Sequence, residues 1–303
     1  MVVTYFKIGK RIVEEEQKGN KRAGYGEKLI LELSKKLTKE CGKGFSERNL
    51  ELMRKFYLMY SISQSVIAKS LDFKLSWTHY IKLMTIDDEQ ERKFYEIESE
   101  KNNWSVRELQ RQFDSALYTR LSLSRNKKKV LELSKKGQLI KSAQDVIKDP
   151  YILEFVGLDE KASYSETELE TAIINKLEDF LLELGKGFTF VARQQRISFD
   201  DKHFYCDLVF YNRILKSFVL IDLKIGELKH QDIGQMQMYI NYYDRNIRLP
   251  EENKTVGIIL CRDKNEAVVE YTLPGNSKNI FASKYQTVLP NKKQLQKLLQ
   301  NKK

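Results

Sequence analysis

The chain has 303 residues, 41% hydrophobic and 31% charged, with four prolines and a net charge of +11. This is enough apolar content for a packed core, and the few prolines and lack of low-complexity sequence argue against a long disordered region. No apolar run approaches the ~20 residues of a membrane span, and the N-terminal M-V-V-T-Y-F-K-I-G-K is too polar for a signal peptide, so a cytoplasmic protein without a membrane partner is expected.

The charge is uneven. Residues 1–150 hold 31 Lys/Arg against 21 Asp/Glu, and residues 151–303 hold 22 against 21. The excess therefore lies in the first half, which suits a polyanionic partner such as nucleic acid, or a solvated Lys-rich surface. Cys41, Cys206 and Cys261 are odd in number and far apart, so buried free thiols are expected rather than a disulfide framework.

In chain order, Leu29, Leu33 and Leu37 give a helical stripe. Ser46 is placed to cap a helix carrying Leu50, Met53 and Tyr57, and residues 76–84 predict a further short helix. Ser105 and Glu108 stand at capping-box spacing. Beyond them Leu109, Phe113, Leu117 and Leu121 predict a buried stripe, with Arg107, Arg111 and Arg120 facing outward. Short helices with outward arginines suit a helix-turn-helix or winged-helix-like DNA binder. They suit equally a bundle through which two chains form a homodimer. R-N-K-K-K at 125–129 is read as a solvated face near a linker. The pattern weakens over 135–163, and Asp149–Pro150 stops any helix. The expected division is a basic helical domain at 1–145, binding DNA or a partner, and a second domain at 146–303.

The second half changes period. A helix begins at Ser165, with Glu168 completing another capping box, and carries Leu169, Ile173, Leu177, Phe180 and Leu184. Strand-like runs follow at 188–199, 203–211 and 216–224, then a helix near 232–243 and a strand at 255–261. The chain is thus read as α+β: an N-terminal helical domain, then an α/β domain with a central mixed sheet flanked by helices.

One strand carries charge in its middle. In F-V-L-I-D-L-K, at 218–224, Asp222 and Lys224 interrupt an otherwise buried run. Buried charge is costly unless it is paired or bound to a metal. If the preceding turn is centred between Ile214 and Leu215, Asp207 falls opposite Asp222, with Cβ atoms ~5 Å apart. Two carboxylates that close call for a cation, and oxygen-only ligation suits Mg²⁺. Alternation puts Lys224 on the same face, where an ammonium can orient a water and offset charge developing on a phosphate. Leu208, Phe210, Ile221 and Leu223 take the other face. His79, His203 and His230 show no metal-ligand spacing, and no P-loop or Ser-His-Asp order occurs.

The arrangement D-x(14)-D-x-K resembles the active-site motif of the PD-(D/E)xK nuclease superfamily. Gln235 and Tyr239, in Q-M-Q-M-Y, are similar to the Q-x-x-x-Y motif of its RecB-like branches. The segments E-L-E…F-L-L-E-L-G-K-G-F, D-L-V-F-Y, D-L-K-I-G-E-L-K, G-Q-M-Q-M-Y and G-I-I-L-C look like the YhcG-like family, a bacterial group with a helical N-terminal domain and a C-terminal nuclease domain. W-S-V-R-E-L-Q-R-Q and S-W-T-H-Y extend the likeness over nearly the whole chain. Cys206 departs from a common Pro, and Asp222 from a common Glu.

The resemblance implies a restriction-endonuclease-like fold and a metal-dependent nuclease hydrolysing phosphodiester bonds in DNA. Mg²⁺, or Mn²⁺ in its place, is expected on Asp207, Asp222, the backbone carbonyl of Leu223 and Glu170. Glu170 is taken from E-L-E because Glu168 belongs to the capping box. Lys224 is expected to position the attacking water, and Gln235 and Tyr239 to contact the substrate. The residues do not distinguish DNA from RNA. The rival reading is a non-catalytic nucleic-acid-binding or scaffold subunit of a defence or restriction complex. Facing carboxylates, which gain a binding module nothing near phosphates, favour the enzyme.

Overall fold

The computed structural model describes residues 1–18, 23–64, 72–123, 127–158, 164–199, 201–263, 268, 271–272, 279–291, 293 and 295. Of the basic cluster at 125–129, Arg125 and Asn126 lie outside the described residues, as do the side chains of the three lysines. The first half forms helices α1 (Val2–Lys18), α2 (Ala23–Cys41), α3 (Glu47–Gln64), α4 (Trp77–Leu83), α5 (Glu89–Lys101), α6 (Val106–Asp114), α7 (Leu117–Leu123) and α8 (Lys127–Lys136). Among the described residues no strand precedes Tyr151.

The caps follow the sequence. Ser46 Oγ accepts from Asn49 N at 3.3 Å. Ser105 Oγ accepts from Glu108 N at 3.2 Å while Glu108 Oε2 accepts from Ser105 N at 2.5 Å. Each bond satisfies a backbone donor that the first helical turn leaves without a partner.

The chain divides into two compact units, Met1–Arg111 with Ser134–Gly137, and Gln112–Leu133 with Gln138–Lys303. In the first, Phe56 rather than Tyr57 is the fully buried ring of α3. Phe6, Tyr60, Phe73, Trp77 and Tyr80 surround it at centroid distances of 4.9–5.8 Å. Helices α1 and α3 touch backbone to backbone at Gly9, where an added Cβ would run into the Met53 carbonyl. Backbone cannot swing away as a side chain does. Gly9→Ala is therefore expected to destabilise this unit by about 1–3 kcal/mol, read as a lower urea midpoint.

In the second unit, Arg120 corrects the expected outward stripe. It is fully buried. Between the two helices the chain breaks: α6 ends at Asp114, and Ala116 takes a left-handed φ of 53° before α7 begins. Leu109, Leu117 and Leu121 are buried as expected, but α7 also buries Thr119, Arg120 and Ser122, so its covered surface is wider than the stripe. Arg120 swings inward, where its guanidinium meets Ser115 O at 2.8 Å, Pro150 O at 3.0 Å and Glu183 Oε1 at 2.6 Å. Arg107 is exposed as expected, and Arg111 is half-buried.

The expected single helix after Ser165 is two, α9 (Glu166–Asn175) and α10 (Leu177–Leu184). Lys176, at φ −125° and ψ 36°, leaves the helical region between them. A straight helix would run off a twisted sheet. With the break, α9 packs on the central strand and α10 on the edge.

The sheet contains β1 (Tyr151–Ile152), β2 (Phe188–Phe199), β3 (Lys202–Asn212), β4 (Ser217–Glu227), β5 (Val256–Asp263) and β6 (Ile280–Gln286), in the order β1-β6-β5-β4-β3-β2. The strands β2, β3 and β4 are antiparallel neighbours, while β4, β5, β6 and β1 run parallel. The parallel step from β4 to β5 needs a crossover, which α11 (His230–Asn246) provides. The β3–β4 register runs from Asn212↔Ser217 to Leu208↔Ile221, as a turn centred between Ile214 and Leu215 requires. Asn212 Oδ1 fixes that turn by accepting from Ile214 N and Leu215 N, both at 3.0 Å.

Apolar clusters cover both faces. Leu208, Phe210, Ile221 and Leu223 pack with Leu169, Ile173 and Phe180, while Val209, Leu220 and Ile259 pack with Ile233, Met236 and Tyr239. Burial on both sides explains why β4 reads as a continuous apolar run. Cys206 and Cys261 are buried free thiols, but Cys41 is exposed, contrary to expectation. Among the described residues no helix is long and apolar enough to cross a membrane.

Candidate active site

Below Leu208↔Ile221 the β3–β4 ladder stops, and a carboxylate takes over. Asp207 Oδ2 accepts from the backbone N of Leu223 at 2.8 Å. A side chain thus satisfies the donor that the neighbouring strand no longer meets. Continued one pair beyond the ladder, the register sets Asp222 on β4 opposite Asp207, whose charge acts on it.

Asp222 is 2% exposed. Its Oδ2 lies 2.8 Å from Lys224 Nζ, at an angle that makes an ion pair but no hydrogen bond, so this buried oxygen has no hydrogen-bond partner. Burial pushes the Asp222 carboxyl up to about 7; the Lys224 ammonium pulls against this, and the Asp207 charge adds to it. For Lys224, burial works to lower the pKa. The carboxylates of Asp222, Glu166 and Asp207 outweigh it and hold the ammonium above its ordinary value. Glu166 Oε2 stands 3.6 Å away.

Glu170 is buried and both its oxygens are engaged. Oε1 accepts from Arg193 Nε at 3.0 Å and Oε2 from Gln194 Nε2 at 2.6 Å. Gln194 Nε2 also donates to Asp207 Oδ1 at 3.0 Å. Glu170 therefore reaches Asp207 through an amide. Gln194 lies opposite Asp207 in the unshifted run from Arg193↔Leu208 to Gln195↔Cys206, at a left-handed φ of 46°. The shift in the β2–β3 register falls earlier, between Phe190 and Ala192. Sequence reading missed Gln194, Arg193 and Glu166, and only the polar run R-Q-Q-R in an otherwise apolar strand hinted at the first two. Glu168 closes its capping box as expected, donating its backbone N to Ser165 Oγ at 3.2 Å and accepting from Ser165 N at 2.7 Å.

On α11, Gln235 donates to the Tyr239 hydroxyl, which donates to Tyr205 O on β3 at 2.8 Å. Tyr239 is fully buried and Gln235 half-buried. Tyr239 thus grips the strand that carries Asp207, and Gln235 is the more accessible of the two. His203 stands with Arg196 and Ser198, away from the carboxylates.

The donor chemistry fits a hard divalent cation, since Asp207 and the buried Asp222 offer carboxylate oxygens and their charges act on each other. Among the described residues no group of three or more His, Cys, Asp or Glu gathers around one point. The facing pair is Asp207 and Asp222.

The raised carboxyl has a measurable consequence. The unfolded chain releases the Asp222 proton near the ordinary value of 3.8 and the folded chain near about 7, so the folded state binds it more tightly. Without metal, this group's contribution to stability is fullest below the lower value and is lost as pH rises through the upper one. The metal-free melting temperature is expected to fall between pH 5 and 8, and more steeply than in Asp222→Asn. Equal slopes in the two proteins would refute this assignment.

The chain resembles known proteins. A family model described as the YhcG PDDEXK nuclease domain matches residues 144–300, and one described as the DUF1016 N-terminal domain matches residues 1–120. The chain is 39% identical over 324 residues to the "Putative nuclease YhcG" of Escherichia coli (strain K12), covering 97% of this chain and 85% of that protein. Among solved structures, a repair endonuclease from Pyrococcus abyssi is similar over 42% of this chain and 50% of that one, at 16% identity and a TM-score of 0.29. EndoMS in apo form is similar over 43% and 49%, at 16% identity and a TM-score of 0.27. The chain thus spans about half the length of each of these two.

Proposed function

The chain belongs to the YhcG family of PDDEXK nucleases, and from that membership we propose that it hydrolyses phosphodiester bonds in DNA with Mg²⁺, for which Mn²⁺ can substitute. The observation that carries the reading is the buried Asp222, set against a second carboxylate and paired with Lys224 at 2.8 Å. A stabilising ion pair needs no second acid there, and burying the pair is weak evidence for a structural role.

Asp207 and Asp222 would hold the cation, helped by the Leu223 carbonyl and by Glu170. Bound there, the cation supplies positive charge against the charge that builds on the scissile phosphate. Gln194 keeps Asp207 aimed by donating to its Oδ1. Lys224 positions the attacking water, and its ammonium, kept charged by three carboxylates, offsets charge on the phosphate. Gln235 contacts the bound strand, and Tyr239 supports it from behind through Tyr205. The basic helical part, residues 1–145, adds affinity for nucleic acid or for a partner, including a second copy of the chain, to the nuclease part at 146–303.

The test is incubation of the purified protein with labelled linear, single-stranded and branched DNA and with RNA, in Mg²⁺, in Mn²⁺ and in chelator. Metal-dependent cutting of DNA is expected. Binding to every substrate without cutting would turn the reading to the scaffold alternative, and cutting of RNA alone would correct the substrate.

A further inference from the structure

The hairpin of β2 and β3 stays paired beyond the point where β3 leaves β4. The β3–β4 ladder covers Leu208–Asn212, whereas the β2–β3 ladder continues out to Phe199↔Lys202. This arm has two unlike faces. Ile197, Phe204 and Cys206 belong to the apolar cluster around α11, and Phe199 meets the Phe204 and Tyr242 rings at 6.2 and 5.6 Å. Alternation puts Arg196, Ser198, His203 and Tyr205 on the other face. Register sets Arg196 opposite Tyr205 and Ser198 opposite His203, and all four are exposed. At the inner end of the same face, Gln194 donates to Asp207.

We propose that this face is a binding track for an unpaired stretch of the nucleic-acid strand that enters the candidate active site, an inference that rests on the nuclease reading of that site. Charge and chemistry both fit. Between the turn and Asp207, the described residues of this face carry no acid. Arg196 is held in place, its Nη2 at 2.9 Å and 3.1 Å from the His203 ring nitrogens and its Nε at 3.1 Å from Ser198 Oγ. A cation fixed before binding loses less freedom when it meets a phosphate.

Tyr205 is an aromatic ring left 47% exposed beside that cation. Its backbone does not drift, because the Tyr239 hydroxyl grips its carbonyl at 2.8 Å. An exposed ring beside an arginine is a platform on which a base can stack while its phosphate is held. A duplex keeps its bases inside and offers the ring nothing to stack. From His203 to Asp207 the strand spans roughly 13 Å at ~3.3 Å per residue, room for a short run of an unpaired strand. The track therefore ends at the carboxylates rather than beside them.

The test separates binding from cutting. The full-length Asp222→Asn protein is titrated with a fluorescein-labelled single-stranded oligodeoxynucleotide, the same sequence as RNA, and a blunt duplex, read by anisotropy. Tyr205→Ala on that background is expected to weaken single-strand binding about ten-fold, the scale of one lost stacking contact, with the duplex unchanged and Tyr205→Phe close to the parent. Arg196→Ala is expected to weaken single-strand binding and to lower the salt slope of log K by about 0.7. Melting curves check that the exposed-site variants fold. Unchanged single-strand binding in both alanine variants overturns the track, as does an equal loss on duplex or no binding by the parent. The DNA and RNA arms name the sugar. Cutting by the wild-type protein is scored apart, so a protein that never cuts but loses binding in these variants keeps the track and loses the nuclease reading.

Discussion

Asp222→Asn is expected to lower the cleavage rate by at least about 10²–10³-fold, the scale of one lost electrostatic contact to the transition state. The change is nearly isosteric, so shape is kept and only charge and one acceptor are lost. Asp222 is the buried member of the facing carboxylates, and its Oδ2 is the atom left without a hydrogen bond. The same change removes a buried charge, so the metal-free variant is expected to melt higher than the parent at pH 8. Inactivity joined to higher stability separates a catalytic residue from a structural one, because loss of a structural residue lowers both. Cleavage within two-fold of the parent would place the chemistry elsewhere in the chain.

The second large effect concerns the fold. Glu183→Gln is expected to destabilise the second unit by about 3–5 kcal/mol, the cost of stranding a buried charge. Arg120 and Glu183 are both fully buried and pair at 2.6 Å. Glu183 Oε1 also accepts from Ile152 N at 3.1 Å, and Lys148 donates to the Glu183 carbonyl. One carboxylate therefore offsets two buried cations, Arg120 and Lys148, and its loss leaves both uncompensated. Arg120→Met leaves Glu183 with Lys148 still 3.9 Å away, so its effect is expected to be smaller. The double variant Arg120→Met with Glu183→Leu is expected to recover part of the loss, since apolar replacement of a buried pair is often tolerated. Urea unfolding of the three variants measures the order. Equal stability of Glu183→Gln and wild type would show that the knot contributes nothing.

Much of the site could be read in advance where a local rule decides it. Parity alone decides which residues of a tight hairpin face each other, so a turn at Ile214 and Leu215 sufficed to bring Asp207 and Asp222 together. Capping boxes at Ser105 and Ser165 are three-residue geometries that need no distant partner. The run F-V-L-I-D-L-K announced a strand buried on both faces, with charge in its middle.

What the sequence determined by itself was therefore periodicity, caps, hairpin register and the motif that marks the family. Only the tertiary structure decided where regular elements break and which way the side chains beyond a break point. Arg120 lies in the core because α7 is covered on more than its Leu117 and Leu121 stripe, and Glu183, 63 residues away, receives it. Gln194 entered the site from across the β2–β3 pair, and Tyr239 was drawn onto the Tyr205 carbonyl by packing of α11 against the sheet. The physical reason is one of range. A repeat of 3.6 or 2 residues fixes a side chain's face only while the element continues, and where it stops is set by the surface it must pack on, which distant parts of the chain supply.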